Sequence, residues 1–232
     1  MKRFLLKFTI FLVLNLTTTS IVWKWMAIQP NNYSRLSHEI NIKNQLERIQ
    51  QIYEPKIIFI GGSGCGFGLC SPLIMEYYQM PVVNTGTNAA LGLRLQLLLF
   101  KSYISENDIV IVIPEYNHYF GNFYMGTESV IRILSSHYTE GYKLLNFKQQ
   151  MHLLKYVPIA YRDAKYARSI KAVDVKNSPY SAQYLNEYGD TEMYDQRKYP
   201  ISSKRDGMGD NKGLQRETII LIIARFQPIL YK

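Results

Sequence analysis

The strongest constraint on the fold lies between residues 56 and 113, where three short apolar runs alternate with two helical stretches. Lys56-Ile57-Ile58-Phe59-Ile60 is nearly continuous in apolar residues and stops at Gly61-Gly62, the pattern of a parallel strand buried on both faces. Residues 69–79 follow with helical character, Pro72 being tolerated in a first turn. Pro81-Val82-Val83-Asn84 predicts a second strand. Residues 89–104 predict a second helix, with Arg94 and Lys101 on one solvent face and Leu91, Leu95 and Leu98 over the remainder. Asp108 to Ile113, stopped by Pro114, predicts the third strand. This order predicts an α/β fold, a flavodoxin-like doubly wound parallel sheet with its first strand in the middle. Such sheets bind ligands beyond the carboxyl ends of their strands, so chemistry is expected in the loops after residues 60, 84 and 113.

The first of those loops reads Gly61-Gly62-Ser63-Gly64-Cys65-Gly66-Phe67-Gly68. No frame supplies the G-x-G-x-x-G dinucleotide fingerprint, and no Gly-Lys-Ser/Thr closes a phosphate loop. The nucleophile elbow G-x-S-x-G fails by one residue, because Cys65 stands at the second glycine position. What remains is a serine, Ser63, at the end of a strand and beside a helix N-terminus that favours negative charge. A turn serine or helix cap stays open as the structural alternative. Cys65 has no basic neighbour in sequence and reads as a small packing residue.

Ile58-Phe59-Ile60-Gly61-Gly62-Ser63 followed by Phe67-Gly68 resembles the first block of the SGNH (GDSL-like) hydrolase superfamily, in particular its membrane-anchored envelope branch. Val82-Val83-Asn84-Thr85-Gly86 resembles the second block, and Asp108 to Ile113 followed by Glu115-Tyr116-Asn117 the third. The resemblance covers roughly residues 55–121. It implies that Ser63 is a nucleophile and that the Gly86 amide and the Asn117 side chain donate to an oxyanion, with neither a metal nor an organic cofactor. For Gly86 and Asn117 an ordinary turn role stays open. The family's glycine commonly lies a few residues later, where this chain has Ala89 and Ala90.

The departure is the base. The family takes it from a C-terminal Asp-x-x-His pair, whereas none of His38, His118, His137 and His152 has an aspartate three residues before it. Asn186-Glu187-Tyr188-Gly189-Asp190 also resembles the envelope branch, where more chain follows. A truncated or divergent member is therefore expected, possessing an incomplete SGNH-like domain. One local substitute exists in Glu115-Tyr116-Asn117-His118, where His118 would act as the base and Glu115 would orient it. A plain surface-loop histidine is the alternative.

Lys2, Arg3 and Lys7 precede an apolar stretch from Phe8 to Ala27, with Trp23 and Trp25 where interfacial aromatics belong. Residues 1–28 are thus expected to be a signal anchor or signal peptide, with the domain extracytoplasmic on a single-pass membrane protein. Residues 29–54 read as a stalk helix or linker, and 55–232 as the SGNH-like domain with a polar, Tyr-rich insertion at about 174–215. Those tyrosines fit a domain surface better than sugar-stacking platforms. The net charge of +9 invites a nucleic-acid partner, but residues 51–130 carry three Lys/Arg against six acids. The basic excess sits instead in 1–50 (seven against two) and 131–232 (seventeen against ten), which fits membrane proximity rather than a nucleic-acid groove.

Two functions remain. One is a weakly active serine esterase or acyltransferase for O-acyl groups of envelope glycans, with a glycan substrate or a membrane acyl-transfer partner. The other is a catalytically silent domain that binds a glycan or a partner through the same loops.

Overall fold

The computed structural model describes residues 1–28, 35–176, 178–192 and 222–225. Strand β1 (Ile57–Gly61) lies between β2 (Val82–Asn84) and β3 (Ile109–Ile113) and is parallel to both. The α/β architecture and its three-stranded parallel sheet therefore follow the pattern of apolar runs. A fourth strand, β4 (Ile222–Arg225), pairs antiparallel with β3, so the sheet as a whole is mixed. The helices are α1 (Lys2–Ile28), α2 (Asn41–Ile49), α3 (Ser63–Gly68), α4 (Ser71–Tyr78), α5 (Leu93–Lys101), α6 (Glu128–His137), α7 (Phe147–Leu154), α8 (Val157–Ser169) and α9 (Ala172–Lys176).

Alternation along β1 divides the core. Ile58 and Ile60, with Val83, face a large cluster built from α2, α5 and α6 and closed by Leu153 of α7 and Ala160 of α8. Ile57, Phe59 and Val82 face the other way, against Ile74 and Met75 of α4. Helices on both faces leave every residue of β1 buried, which is why its sequence is continuously apolar rather than alternating.

The amino ends of β1 and β3 are pinned by an ion pair. Lys56 Nζ lies 2.9 Å from Asp108 Oδ2, and the two side chains are 2% and 0% exposed. Asp108 also accepts from the Lys56 and Ser105 backbone N–H groups, at 3.0 and 2.7 Å. A buried pair is tolerable only when its remaining polar atoms are satisfied in this way.

Several elements depart from the expected pattern. The helix expected over 69–79 forms as α4 over Ser71–Tyr78, and the preceding loop holds a separate short helix, α3, with Leu69 and Cys70 leaving the helical conformation between them. The helix expected from residue 89 opens as a 3-10 turn over Ala89–Leu91 and restarts after Gly92. Gly92 has φ +75°, and a Cβ there would run into the backbone of Tyr124 and Gly126, so glycine is required at this crossing of two loops. Within the segment read as a stalk, α2 is instead packed into the domain, since its Ile42, Leu46 and Ile49 are buried in the large cluster.

Among the described residues one helix, α1, is long and apolar enough to cross a membrane, and residues 2–21 are not buried against the domain. Residues 29–34 of the linker and 193–215 of the Tyr-rich stretch lie outside the described residues.

Candidate active site

The loops after β1, β2 and β3 meet at the carboxyl end of the sheet. Their approach is close enough to exclude side chains. A Cβ on Gly62 would overlap the Glu115 carboxylate and lie 2.9 Å from Ala89 Cβ, while one on Gly66 would lie 2.8 Å from Gly86 O. At Gly61, Gly62 and Gly66 glycine is thus a packing requirement that brings three loops together, whereas Gly64 and Gly68 have room for a side chain.

Ser63 opens α3 and is half-buried. Its Oγ donates to Glu115 Oε1 at 3.3 Å, and the Gly64 N–H donates to the same oxygen at 3.2 Å. Glu115, expected to orient an imidazole, therefore touches the serine itself. A carboxylate in this position can accept the serine proton, and it also takes the first free amide of α3.

His118 is turned away from this contact. Its Nδ1 accepts from the Glu115 N–H at 3.1 Å and its Nε2 lies 2.9 Å from Ala89 O, which fixes the proton on Nε2. The ring is 5% exposed and joins the loop after β3 to the loop after β2. With both nitrogens held by backbone, the imidazole is a strut, and the arrangement does not deliver it to Ser63 as a base.

The two expected oxyanion donors are also placed otherwise. The buried Gly86 N–H donates to Asn84 Oδ1 at 2.9 Å, and Gly86 O accepts from Asn41 Nδ2 at 3.1 Å. Asn117 sits exposed in the 3-10 turn Tyr116–Tyr119. In this conformation the structure brings Ser63 and Glu115 together but leaves Gly86 and Asn117 outside their hydrogen-bond contact.

Behind Ser63 lies a polar node. Asp190, 2% exposed, accepts from the Ser71 N–H and hydroxyl at 2.6 Å each and from Asn84 Nδ2 at 2.7 Å. Asn84 in turn holds Cys65, whose thiol donates to its Oδ1 at 3.1 Å. Burial, with the charges of Asp190 and Glu115, pushes that thiol up and keeps it protonated. Cys65 is accordingly a packing residue, and Cys70 is exposed and free. The stretch 186–191 clasps this node: Tyr188 O accepts from Asn84 N–H and Thr191 N–H donates to Gly66 O, both at 2.8 Å.

The loop after β2 is gripped from its other side by the turn His38–Ile40. His38 Nε2 lies 2.9 Å from Thr87 O, and its ring packs against Phe67 and Tyr180, which also meet each other edge-on. Burial lowers the imidazole below the ordinary histidine range, with Arg132 adding to the effect and the Thr87 bond and Glu39 opposing it. Burial alone would push the Glu39 carboxyl up, but the charge and hydrogen bonds of Arg132, with His38 and His137, carry it below the usual range. Nothing in the spacing of His38, Glu39 or Arg132 marks this support, whereas the Asn186–Asp190 stretch is visible in sequence as part of the family resemblance. Among the described residues no group of three His, Cys, Asp or Glu side chains could hold a metal ion.

No family model, curated protein or solved structure matches this chain.

Proposed function

We propose that this chain is a membrane-tethered, SGNH-like serine esterase or acyltransferase that acts feebly on O-acyl groups of envelope glycans. The observation that carries the proposal is the Ser63 hydroxyl donating to Glu115 at the carboxyl end of a parallel sheet. The chemistry would run from there: Ser63 Oγ attacks the acyl carbonyl while its proton passes to the Glu115 carboxylate, the ester C–O bond breaks and the freed glycan hydroxyl leaves with that proton, and water or a second hydroxyl then displaces Ser63 from the acyl group while a proton returns to its Oγ through Glu115. Feebleness follows from the same geometry. A carboxylate is a far weaker base than an imidazole, and the Gly64 and Gly86 amides already have acceptors. Tyr116 and Phe120, with ring centroids 4.6 Å apart and both more than half exposed, follow Glu115 in sequence and offer a face to an acyl chain or sugar ring. The sheet would be the flavodoxin-like core of that superfamily, and α1 would hold the domain on the outer side of the membrane.

A second reading, a silent glycan- or partner-binding domain, is favoured by the two backbone bonds that occupy His118. Hydrolysis of an activated acyl ester by the full chain separates the two. The esterase account expects slow turnover that Ser63→Ala abolishes and Glu115→Gln reduces at least tenfold, with His118→Gln acting on stability instead. Turnover unchanged by Ser63→Ala contradicts the serine mechanism. No turnover above background in the wild-type chain selects the silent domain.

A further inference from the structure

We propose that the exposed face of α7 and α8 is a second membrane contact, lying on anionic lipid headgroups beside α1. The inference rests on α1 crossing the bilayer but is independent of the chemistry at Ser63.

Helix α7 carries its apolar residues on the outside. Phe147, Met151 and Leu154 recur at i, i+4 and i+7 and are 76%, 51% and 57% exposed, while Gln149 on the inner face is fully buried. A helix packed only for a soluble core would place these the other way. The strip continues onto α8 through Val157 and Tyr161, 36% and 41% exposed.

Cations border this strip. Lys148, Lys155, Arg162 and Lys165 are all exposed, and the one acid of the two helices, Asp163, is paired with Arg162 at 3.3 Å. Aromatic and aliphatic residues bordered by Lys and Arg are the composition of an interfacial helix, whose apolar side enters the acyl boundary while its cations meet anionic headgroups. A glycan would not call for Met151 and Leu154 on the surface, and this excess of positive charge favours an anionic lipid surface over a neutral protein partner.

The fold also puts the strip where a membrane would be. The backbone of α1 touches the domain at α6 and α8, which belong to the large-cluster side of the sheet. The opposite side is covered by α4. A bilayer spanned by α1 therefore approaches the domain from the side that carries α6 and α8, and α7 leads directly into α8.

The test uses the full chain, with Cys70→Ser to remove the exposed thiol and with spin labels attached one at a time through Phe147→Cys, Leu154→Cys, Tyr77→Cys and Val13→Cys. Tyr77 is 81% exposed on α4, on the far side of the sheet, and Val13 reports the insertion of α1. The protein is reconstituted in phosphatidylcholine vesicles with and without phosphatidylglycerol, and collision with a nickel-chelating lipid headgroup is measured. Labels at 147 and 154 should collide several-fold more often than the label at 77. Phosphatidylglycerol should widen this difference, and replacing Lys148, Lys155, Arg162 and Lys165 by Gln should remove the widening. Equal collision at 147, 154 and 77, with the label at 13 inside the bilayer, overturns the lipid contact alone. A label at 13 that stays in water overturns the anchoring and the proposal with it. Dipolar broadening between labels at 147 on different copies would assign the strip to self-association and likewise overturn it.

Discussion

Replacing Asp108 by Ala should be among the most damaging single changes in the domain. Asp108 is fully buried and accepts from Lys56 Nζ, Lys56 N–H and Ser105 N–H, so its removal strands a buried ammonium and frees two backbone donors. Removing one member of a buried pair costs about 3–5 kcal/mol. At roughly 2–4 °C per kcal/mol for a domain of this size, that corresponds to a fall of about 6–20 °C in the unfolding midpoint. Urea unfolding of the detergent-solubilised chain, followed by circular dichroism, gives the free energy directly. Lys56→Met combined with Asp108→Leu should recover only the part due to the stranded ammonium, because the apolar pair leaves no charge behind but still leaves the Lys56 and Ser105 N–H groups without their acceptor. A loss below about 1 kcal/mol for Asp108→Ala, or a double variant worse than the single one, would refute the claim that the pair pins β1 to β3.

Acidification should destabilise the fold. Burial holds the His38 and His137 imidazoles below their ordinary value of 6.5, so below that pH the unfolded chain takes up protons that the folded protein resists. Their contribution is present above 6.5 and is lost as pH falls, and the lowered Glu39 carboxyl extends the loss below its ordinary value of 4.5. The urea midpoint should drop between about pH 8 and about pH 5.5, and a flat profile would contradict the buried neutral histidines. Gly86→Ala should cost about 1–3 kcal/mol or more, because its Cβ would meet the backbone of Gly66 and Cys65. Any lost activity in that variant should therefore track lost folded protein, measured by urea unfolding of the same sample. Asp190→Ala should loosen α4 and Asn84 together, read as faster amide exchange across residues 71–78 and 84–86.

The parallel core was legible because its causes are local. A strand buried on both faces must be apolar at every position, and its ends must carry glycine or proline, so β1, β2 and β3 stand out as runs. Their order followed from the handedness of the crossovers. The helices were less legible where one residue overrides periodicity, as Gly92 does by adopting φ +75° between Leu91 and Leu93. Residues 41–49 resembled a stalk because a polar surface dominates their composition, yet Ile42, Leu46 and Ile49 form a stripe narrow enough to bury.

Within the candidate site, Ser63 and Glu115 were visible as residues but not in their relation. Glu115 and His118 are three apart, which suggests a carboxylate and imidazole acting together. In a 3-10 turn that spacing instead folds the ring back onto the Glu115 N–H in a capping box, while the carboxylate reaches across to Ser63. Asp190 and His38 reach the site's loops, and Arg132 reaches Glu39 beside them, across long stretches of sequence, and no periodic pattern encodes such pairings.

The central claim is that Ser63 is the nucleophile, and covalent trapping tests it most directly. The full chain is treated with a fluorophosphonate, digested and mapped by mass spectrometry. The account predicts slow phosphonylation at Ser63, absent in Ser63→Ala and slowed in Glu115→Gln. Labelling at another residue, or none at Ser63 in protein shown to be folded, would contradict it.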